Sequence, residues 1–300
     1  MSPVKIMVLG GAGMLGHKMF QVLRQHFDGT FCTLRGDARR PPLNAVELLQ
    51  GEDVVCGVDV TDFSALESIL SHFRPEYIVN CVGVIKQRRE AVSPIPSITV
   101  NSLLPHKLAQ MSAPWGGHVI HFGTDCVFSG NRGGYTEADH ADATDLYGRT
   151  KFLGEVAAGK ALTLRTSIIG RELTEHRSLL DWFLGQNHKT VRGYRRVIYS
   201  GVTTNHLAGL VARIIEEYPG LNGLYQVASE PIAKYDLLCL LRDAYRLDVR
   251  VEPEDSEVSD RSIQCDRLRE AIGYECLPWP ALVHQLAEDD TPYDKWINRK

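Results

Sequence analysis

Seven residues near the start limit the architecture of this chain more than any other stretch. The apolar, β-branched run from Val4 to Leu9 ends in Gly10-Gly11-Ala12-Gly13-Met14-Leu15-Gly16, and a helical pattern follows through His26. Strand, glycine turn and helix in that order open a βαβ unit. Two overlapping glycine registers are present, 11-13-16 and 10-13-16, and both serve the same physics. Glycine allows a sharp turn and lets a pyrophosphate approach the amides at the helix N-terminus, where the dipole favours negative charge. The stretch predicts a dinucleotide site.

Alternation continues beyond it. Strands are expected at Thr30 to Leu34, Asp53 to Val60, Tyr77 to Gly83, from Gly117 into the loop at Thr124, and Leu162 to Ser167. Between them, helical patterns run from Phe63 to Phe73, capped by Asp62 or Thr61, from Ile98 to Met111, and through Tyr147 and Lys151. Tyr77-Ile-Val-Asn80 is apolar nearly throughout, as a central parallel strand is. The expected fold is α/β: a doubly wound parallel Rossmann-type sheet with a smaller, mostly helical C-terminal substrate-binding lobe. Residues 1–170, with 197–228 returning to them, are assigned to the dinucleotide-binding domain. Residues 171–196 and 229–300 form the lobe, with helices expected at Leu179 to Leu184, Ala233 to Tyr245, Arg261 to Ile272 and Pro280 to Glu288.

Composition excludes several classes. A formal charge of -4 argues against a generic nucleic-acid binder, and 44% hydrophobic with 23% charged residues is ordinary for a soluble globular protein. No run reaches membrane-spanning length. The seven cysteines are scattered and form no Cys-x-x-Cys pair. Reduced thiols in the cytoplasm are therefore expected, with no zinc or other metal site.

Candidate site residues gather at the carboxyl ends of the strands, where open α/β sheets bind ligands. Arg35 ends the second strand about 20 residues past the glycines, where an arginine suits the extra phosphate of NADPH. Asp37 keeps NADH open as an alternative. Asp59 stands at the end of the third strand, placed to hydrogen-bond an adenine amine. Thr124 and Asp125 follow the fifth strand. Tyr147 and Lys151 are four apart, on one face of a helix. With 11 tyrosines and ten lysines in 300 positions, chance supplies about 0.4 such pairs, so the pair gains meaning only from its surroundings. Lys86, in a basic loop after the fourth strand, and Arg192 and Arg195, in a later basic run, are candidates to meet an anionic substrate, since guanidinium matches phosphate oxygens in bidentate fashion.

Together these residues resemble the extended short-chain dehydrogenase/reductase family, and within it the dTDP-4-dehydrorhamnose reductase group, over nearly the whole chain. The likeness rests on the glycine turn, Asn80 to Gly83, Asn101, Thr124-Asp125, Tyr147-x-x-x-Lys151, Leu164-Arg165-Thr166-Ser167 and Gly201 to Ala208. It implies that Tyr147 gives a proton to a sugar carbonyl as hydride arrives from NADPH, that Lys151 holds the nicotinamide ribose and tunes the phenol, and that Thr124 bonds the reacting oxygen. Met14 and Leu15 would offer amides to the pyrophosphate, Asp59 and Val60 would bracket adenine, and Gly83, Val84 and Phe122 would line the cofactor. Asp125 and Asn101 would join the substrate contacts. The implied activity is reduction of the 4-keto group of a nucleotide-diphosphate deoxyhexose for surface polysaccharide synthesis, in a cytoplasmic protein whose homodimerisation is left open. An epimerase or dehydratase with retained NAD(P), and a non-catalytic regulatory subunit, are the alternatives. Two positions depart from the group: Cys126 stands where its reductases often carry tyrosine, and Ile168 where they often carry tryptophan.

Overall fold

The computed structural model describes residues 3–85, 93–174 and 177–296. Its first half alternates strands and helices, except that only short 3-10 turns separate β2 from β3: β1 (Ile6–Leu9), α1 (Met14–His26), β2 (Thr30–Thr33), β3 (Val54–Val55), α2 (Phe63–Phe73) and β4 (Tyr77–Asn80). A composite helix follows, made of α3 (Pro94–Ser97), a π-helical turn (Ile98–Leu103) and α4 (Leu104–Ser112). Next come β5 (His118–Phe122), α5 (Leu146–Leu153) and β6 (Ala161–Arg165). The remainder contains β7 (Ile168–Ile169), α6 (Leu179–Leu184), β8 (Thr190–Tyr194), β9 (Val197–Tyr199), β10 (Val202–Thr203), α7 (Thr204–Glu217) and β11 (Gly223–Gln226). Then follow β12 (Ile232–Ala233), α8 (Lys234–Ala244), β13 (Arg250–Glu254), β14 (Ser259–Asp260), α9 (Asp266–Ile272), α10 (Trp279–Ala287) and α11 (Tyr293–Trp296).

Seven strands form one parallel sheet in the order β11-β6-β5-β4-β1-β2-β3. The chain reverses direction across the sheet between β1 and β4, which opens the crevice where doubly wound sheets bind dinucleotides. β1, β4, β5 and β6 are buried at every position, because helices cover both faces. α1 and α7 pack on one side through Met19, Phe20, Leu23, Leu207, Val211 and Ile214. α2 and α4 cover the other through Leu66, Leu70, Leu104 and Leu108. A third apolar cluster joins Leu180 and Phe183 of α6 to Leu237 and Leu241 of α8 and Trp279 and Leu282 of α10.

The structure shortens one expected strand and adds others. The third strand pairs only at Val54–Val55, since Gly57, at φ 77°, breaks the extended backbone before Asp59. The later region has its expected helices, α6, α8, α9 and α10, and also short strands: β8 pairs in parallel with β13, and β9 lies between antiparallel β12 and parallel β14. β9, β12 and β14 are two or three residues long, too short for period-2 alternation to show. Cys265 and Cys276 bring their sulfurs together, but their Cα atoms are 7.6 Å apart, wider than a bridged pair allows. Among the described residues, Cys32, Cys56, Cys81, Cys126 and Cys239 take part in no disulfide.

The last described segment folds back over the first helix. Lys18 of α1 is 2% exposed and gives its ammonium to Asp289 at 2.6 Å and Thr291 at 2.8 Å. Asn205 of α7 also donates to Asp289, at 3.1 Å. His17, fully buried, bonds the Gly13 carbonyl through Nδ1 and the Tyr293 hydroxyl through Nε2, both at 2.8 Å. With its Nδ1–H donating to a carbonyl, the ring accepts the tyrosine O–H at Nε2. No helix among the described residues is long and apolar enough to cross a membrane.

Candidate active site

The glycine turn is built for close approach. Gly10 sits at φ 85°, and a Cβ on Gly16 would lie 2.0 Å from the Gly10 carbonyl oxygen. The first turn of α1 therefore presses directly on the loop. Gly13, the N-cap, is exposed and supplies no side-chain cap, and the first turn carries no acidic residue. The amides of Met14 and Leu15 occupy that turn, where helix geometry provides no acceptor. Their donors are thus available to an anion, and the residues fit a dinucleotide pyrophosphate.

Arg35 and Asp59 are both exposed on the adjoining edge. The Asp59 carboxylate accepts from the Thr61 amide at 2.9 Å and hydroxyl at 2.7 Å, which holds it below the usual carboxylate range, with the Arg35 charge adding to the effect. Asp37 is turned instead to the Arg39 amide, at 2.9 Å. Val60 is half-buried against the α2 side of the sheet.

Asn101 lies in the π turn, a geometry that recurs at functional sites. It is 1% exposed, and its amide clamps the loop after β4: Oδ1 accepts from the Val84 N–H at 2.8 Å, and Nδ2 donates to the Val84 carbonyl at 3.0 Å. Where the sequence reading placed Asn101 among the substrate contacts, the structure puts both ends of its amide on the main chain next to Gly83. It positions a loop. Lys86 lies outside the described residues.

Thr124 and Asp125 leave the carboxyl end of β5 and are each 5% exposed. Thr124 caps a short 3-10 turn, accepting from the Cys126 amide at 3.2 Å, and bonds the Tyr147 hydroxyl. Burial raises the Asp125 carboxyl above its ordinary range, opposed by Arg261 and by hydrogen bonds from Cys126, Ser167 and Thr124. α5 starts at Asp145, whose carboxylate accepts from the Gly148 amide at 3.0 Å. That cap puts Tyr147 and Lys151 on one inward face. Burial pushes the Tyr147 phenol well up, the Thr124 hydrogen bond partly opposing it. Lys151, 6% exposed, donates to the Phe122 carbonyl at 2.6 Å, and burial lowers its ammonium to about 8. A bidentate pair behind it, Arg165 to Glu155 at 2.8 and 2.7 Å, fastens the end of α5 to β6.

The later basic residues take different places. Arg192 is exposed, ion-paired with Glu254 at 3.5 Å, and borders a cleft of ≈ 510 Å³ with Leu179, Trp182, Tyr194, Lys234 and Glu257. Arg195 forks onto Asp255. The sequence reading missed Lys234 as a charge. Its ammonium lies 5.7 Å over the Tyr199 ring, borders the same cleft, and feels both Asp125 and Cys126. It also missed Gly154, where a Cβ would lie 1.8 Å from the Asn101 carbonyl oxygen. Only folding brings these partners together, since they lie some 35 to 110 positions apart.

A seven-stranded Rossmann sheet, a glycine turn at its crevice, and threonine, tyrosine and lysine converging at the end of β5 define an extended short-chain dehydrogenase/reductase fold. More narrowly, the chain belongs to the RmlD substrate binding domain family, whose model matches residues 4–267. Among its relatives, methionine adenosyltransferase 2 subunit beta of Rattus norvegicus is 24% identical over 267 residues, covering 81% of this chain and 72% of that protein. The dTDP-4-dehydrorhamnose reductase of Bacillus anthracis, solved in complex with NADP, superposes with a TM-score of 0.73 at 19% identity, covering 94% of this chain and 98% of that one. The dTDP-glucose 4,6-dehydratase of the same organism, solved with NAD, gives 0.77 at 14% identity and covers 98% of both.

Proposed function

We propose that this protein is an NADPH-dependent reductase of a nucleotide-diphosphate 4-keto-6-deoxyhexose, acting in surface polysaccharide synthesis. The observation that carries the reading is the meeting of buried Thr124 and Lys151 with half-buried Tyr147 at the end of β5, in a sheet whose first helix is left uncapped at the glycine turn. Family membership and the likeness to a reductase solved with NADP support it.

When bound, a dihydronicotinamide supplies the hydride. The chain does the rest. Met14 and Leu15 amides would hold the pyrophosphate, and Arg35 would favour the phosphate that distinguishes NADPH. Gly83 and Val84, fixed by Asn101, and Phe122 would line the nicotinamide side. Desolvation keeps the Tyr147 phenol protonated, as a proton donor must be, with Thr124 beside it. As a ketone is reduced, charge grows on its oxygen. A fixed donor beside a hydroxyl and a lysine stabilises that state more than the ground state. The cleft past Asp125, with Arg192 and Lys234, is read as the seat of the nucleotide diphosphate, so the region around α6, α8 and α10 would be the substrate-binding lobe.

The test follows NADPH oxidation against dTDP-, UDP- and GDP-linked 4-keto sugars. One NADPH consumed per product is expected with at least one of them. Turnover without net NADPH consumption would make the protein an epimerase or dehydratase. A second reading is favoured by the relative named as a subunit of methionine adenosyltransferase: a regulatory partner of another enzyme. Isolation in a stoichiometric complex, with no oxidation of NADPH by any sugar, would establish it instead.

A further inference from the structure

Behind the lysine lies a line of buried polar groups that the chemistry above leaves unused. Asn80 ends β4 and pairs in register with His121 of β5; they are 1% and 0% exposed. The main chain orients the asparagine amide, because Oδ1 accepts from the Val82 N–H at 3.2 Å. Nδ2 therefore faces His121 Nδ1, at 3.1 Å. A ring nitrogen met by an NH2 group accepts, and the single proton of a neutral imidazole then sits on Nε2. That N–H faces Lys151 Nζ at 3.4 Å. An ammonium has donors only, so a charged Lys151 sets N–H against N–H. A neutral amine accepts from Nε2 and still donates to the Phe122 carbonyl.

We propose that Asn80 and His121 are positioning residues that carry the hydrogen-bond direction of the loop after β4 to Lys151, disfavouring its ammonium form in the free protein. The relay is reversible only as a unit. For a cationic Lys151 to donate to Nε2, the imidazole proton must move to Nδ1 and the Asn80 amide must turn over, leaving Nδ2 against the Val82 N–H. The lysine's charge is thereby linked to the loop that Asn101 clamps.

The surroundings fit. Burial holds the His121 ring well below its ordinary range, so it is neutral. Around the lysine, Glu155, just past the end of α5, favours the cation, but Arg165 of β6 engages both of its oxygens. Tyr147, one turn earlier on α5, is protonated, and His106 approaches from α4, its Nε2 2.8 Å from the Leu153 carbonyl. Val82 to Val84 belong to the loop read as cofactor-lining, and there the inference rests on the reductase reading.

The test is a 13C-lysine NMR titration of the full chain, with the Lys151 resonance assigned through Lys151→Met. The wild-type midpoint is expected near 8. His121→Phe keeps the bulk and removes the opposing N–H, so the midpoint should rise by about one pH unit, a tenfold gain in proton affinity. Asn80→Asp keeps the Val82 bond, gives Nδ1–H an acceptor and opens Nε2 to the lysine, and should raise the midpoint as well. An unchanged or lowered midpoint in folded His121→Phe overturns the relay. Should that variant not fold, the same result in Asn80→Asp does so. Neither substrate nor cofactor is needed, so the titration decides the relay even where the sugar panel rejects the reductase.

Discussion

Tyr147 and Lys151 share one helix face, but their surroundings push them in chemically different directions. Burial keeps the phenol protonated and brings the lysine to about 8. Tyr147→Phe preserves the ring and should lower kcat by about 10²- to 10⁴-fold, the usual worth of a general acid. NADPH affinity, read by fluorescence quenching, should hold within about threefold, because the proposed role of the phenol is at the reacting oxygen and not at the pyrophosphate. Arg35→Ala should weaken NADPH by about tenfold or more, as loss of a charge-assisted bond does, with NADH nearly unaffected. Equal effects on both cofactors would remove the phosphate role. That Thr124, Tyr147 and Lys151 come together was legible from their surroundings, a glycine turn and a strand-and-helix alternation, and not from the four-residue spacing alone. His121 and Lys234 were not, since a histidine in an apolar strand and a lysine opening a helix look ordinary until β4, β5 and α8 are laid beside them.

The element that fixes this geometry is the packing of α5 on the π turn. Ser102 donates to the Thr150 carbonyl at 2.8 Å, Asn101 reaches the Thr150 hydroxyl at 3.4 Å, and Gly154 touches the Asn101 carbonyl. Gly154→Ala should drive the two helices apart, costing about 1–3 kcal/mol as overpacking does. Urea unfolding would measure the cost, and a fall in kcat of the folded variant would show that the tilt of α5 matters. Full stability and full activity together would mean the contact is slack. Helix and strand identities were largely readable here, because each central element is apolar with a clear period. The π turn was not, since its 98–111 pattern reads as ordinary helix. The two-residue strands around β9 carry too few positions to show any period, and they hold their places by pairing with segments distant in sequence.

Across the whole molecule, the parallel sheet was legible from alternation alone, whereas the fold-back of residues 288–296 onto α1 was not. No local pattern announces a contact between Lys18 and Asp289, 271 positions apart. It gives the protein an acid limit. Burial lowers His17 from 6.5 to about 4, so the unfolded chain binds a proton there that the folded one refuses. Stability is full above pH 6.5 and lost as the pH falls toward 4, by about 3 kcal/mol at 1.36 kcal/mol per unit. Urea midpoints measured across that window should drop in the wild type and drop less in His17→Gln. An equal slope in both would place the acid limit elsewhere.

The same fold-back bears on the order in which the chain is made. α1 leaves the ribosome early, yet the carboxylate for its buried ammonium arrives some 270 residues later, and an uncompensated buried charge costs about 3–5 kcal/mol. Until then Lys18 is served by water and by the Gln21 side chain of its own helix, at 2.7 Å. The segment thus works as a late latch, sealing the outer side of α1 only when the rest of the chain is in place.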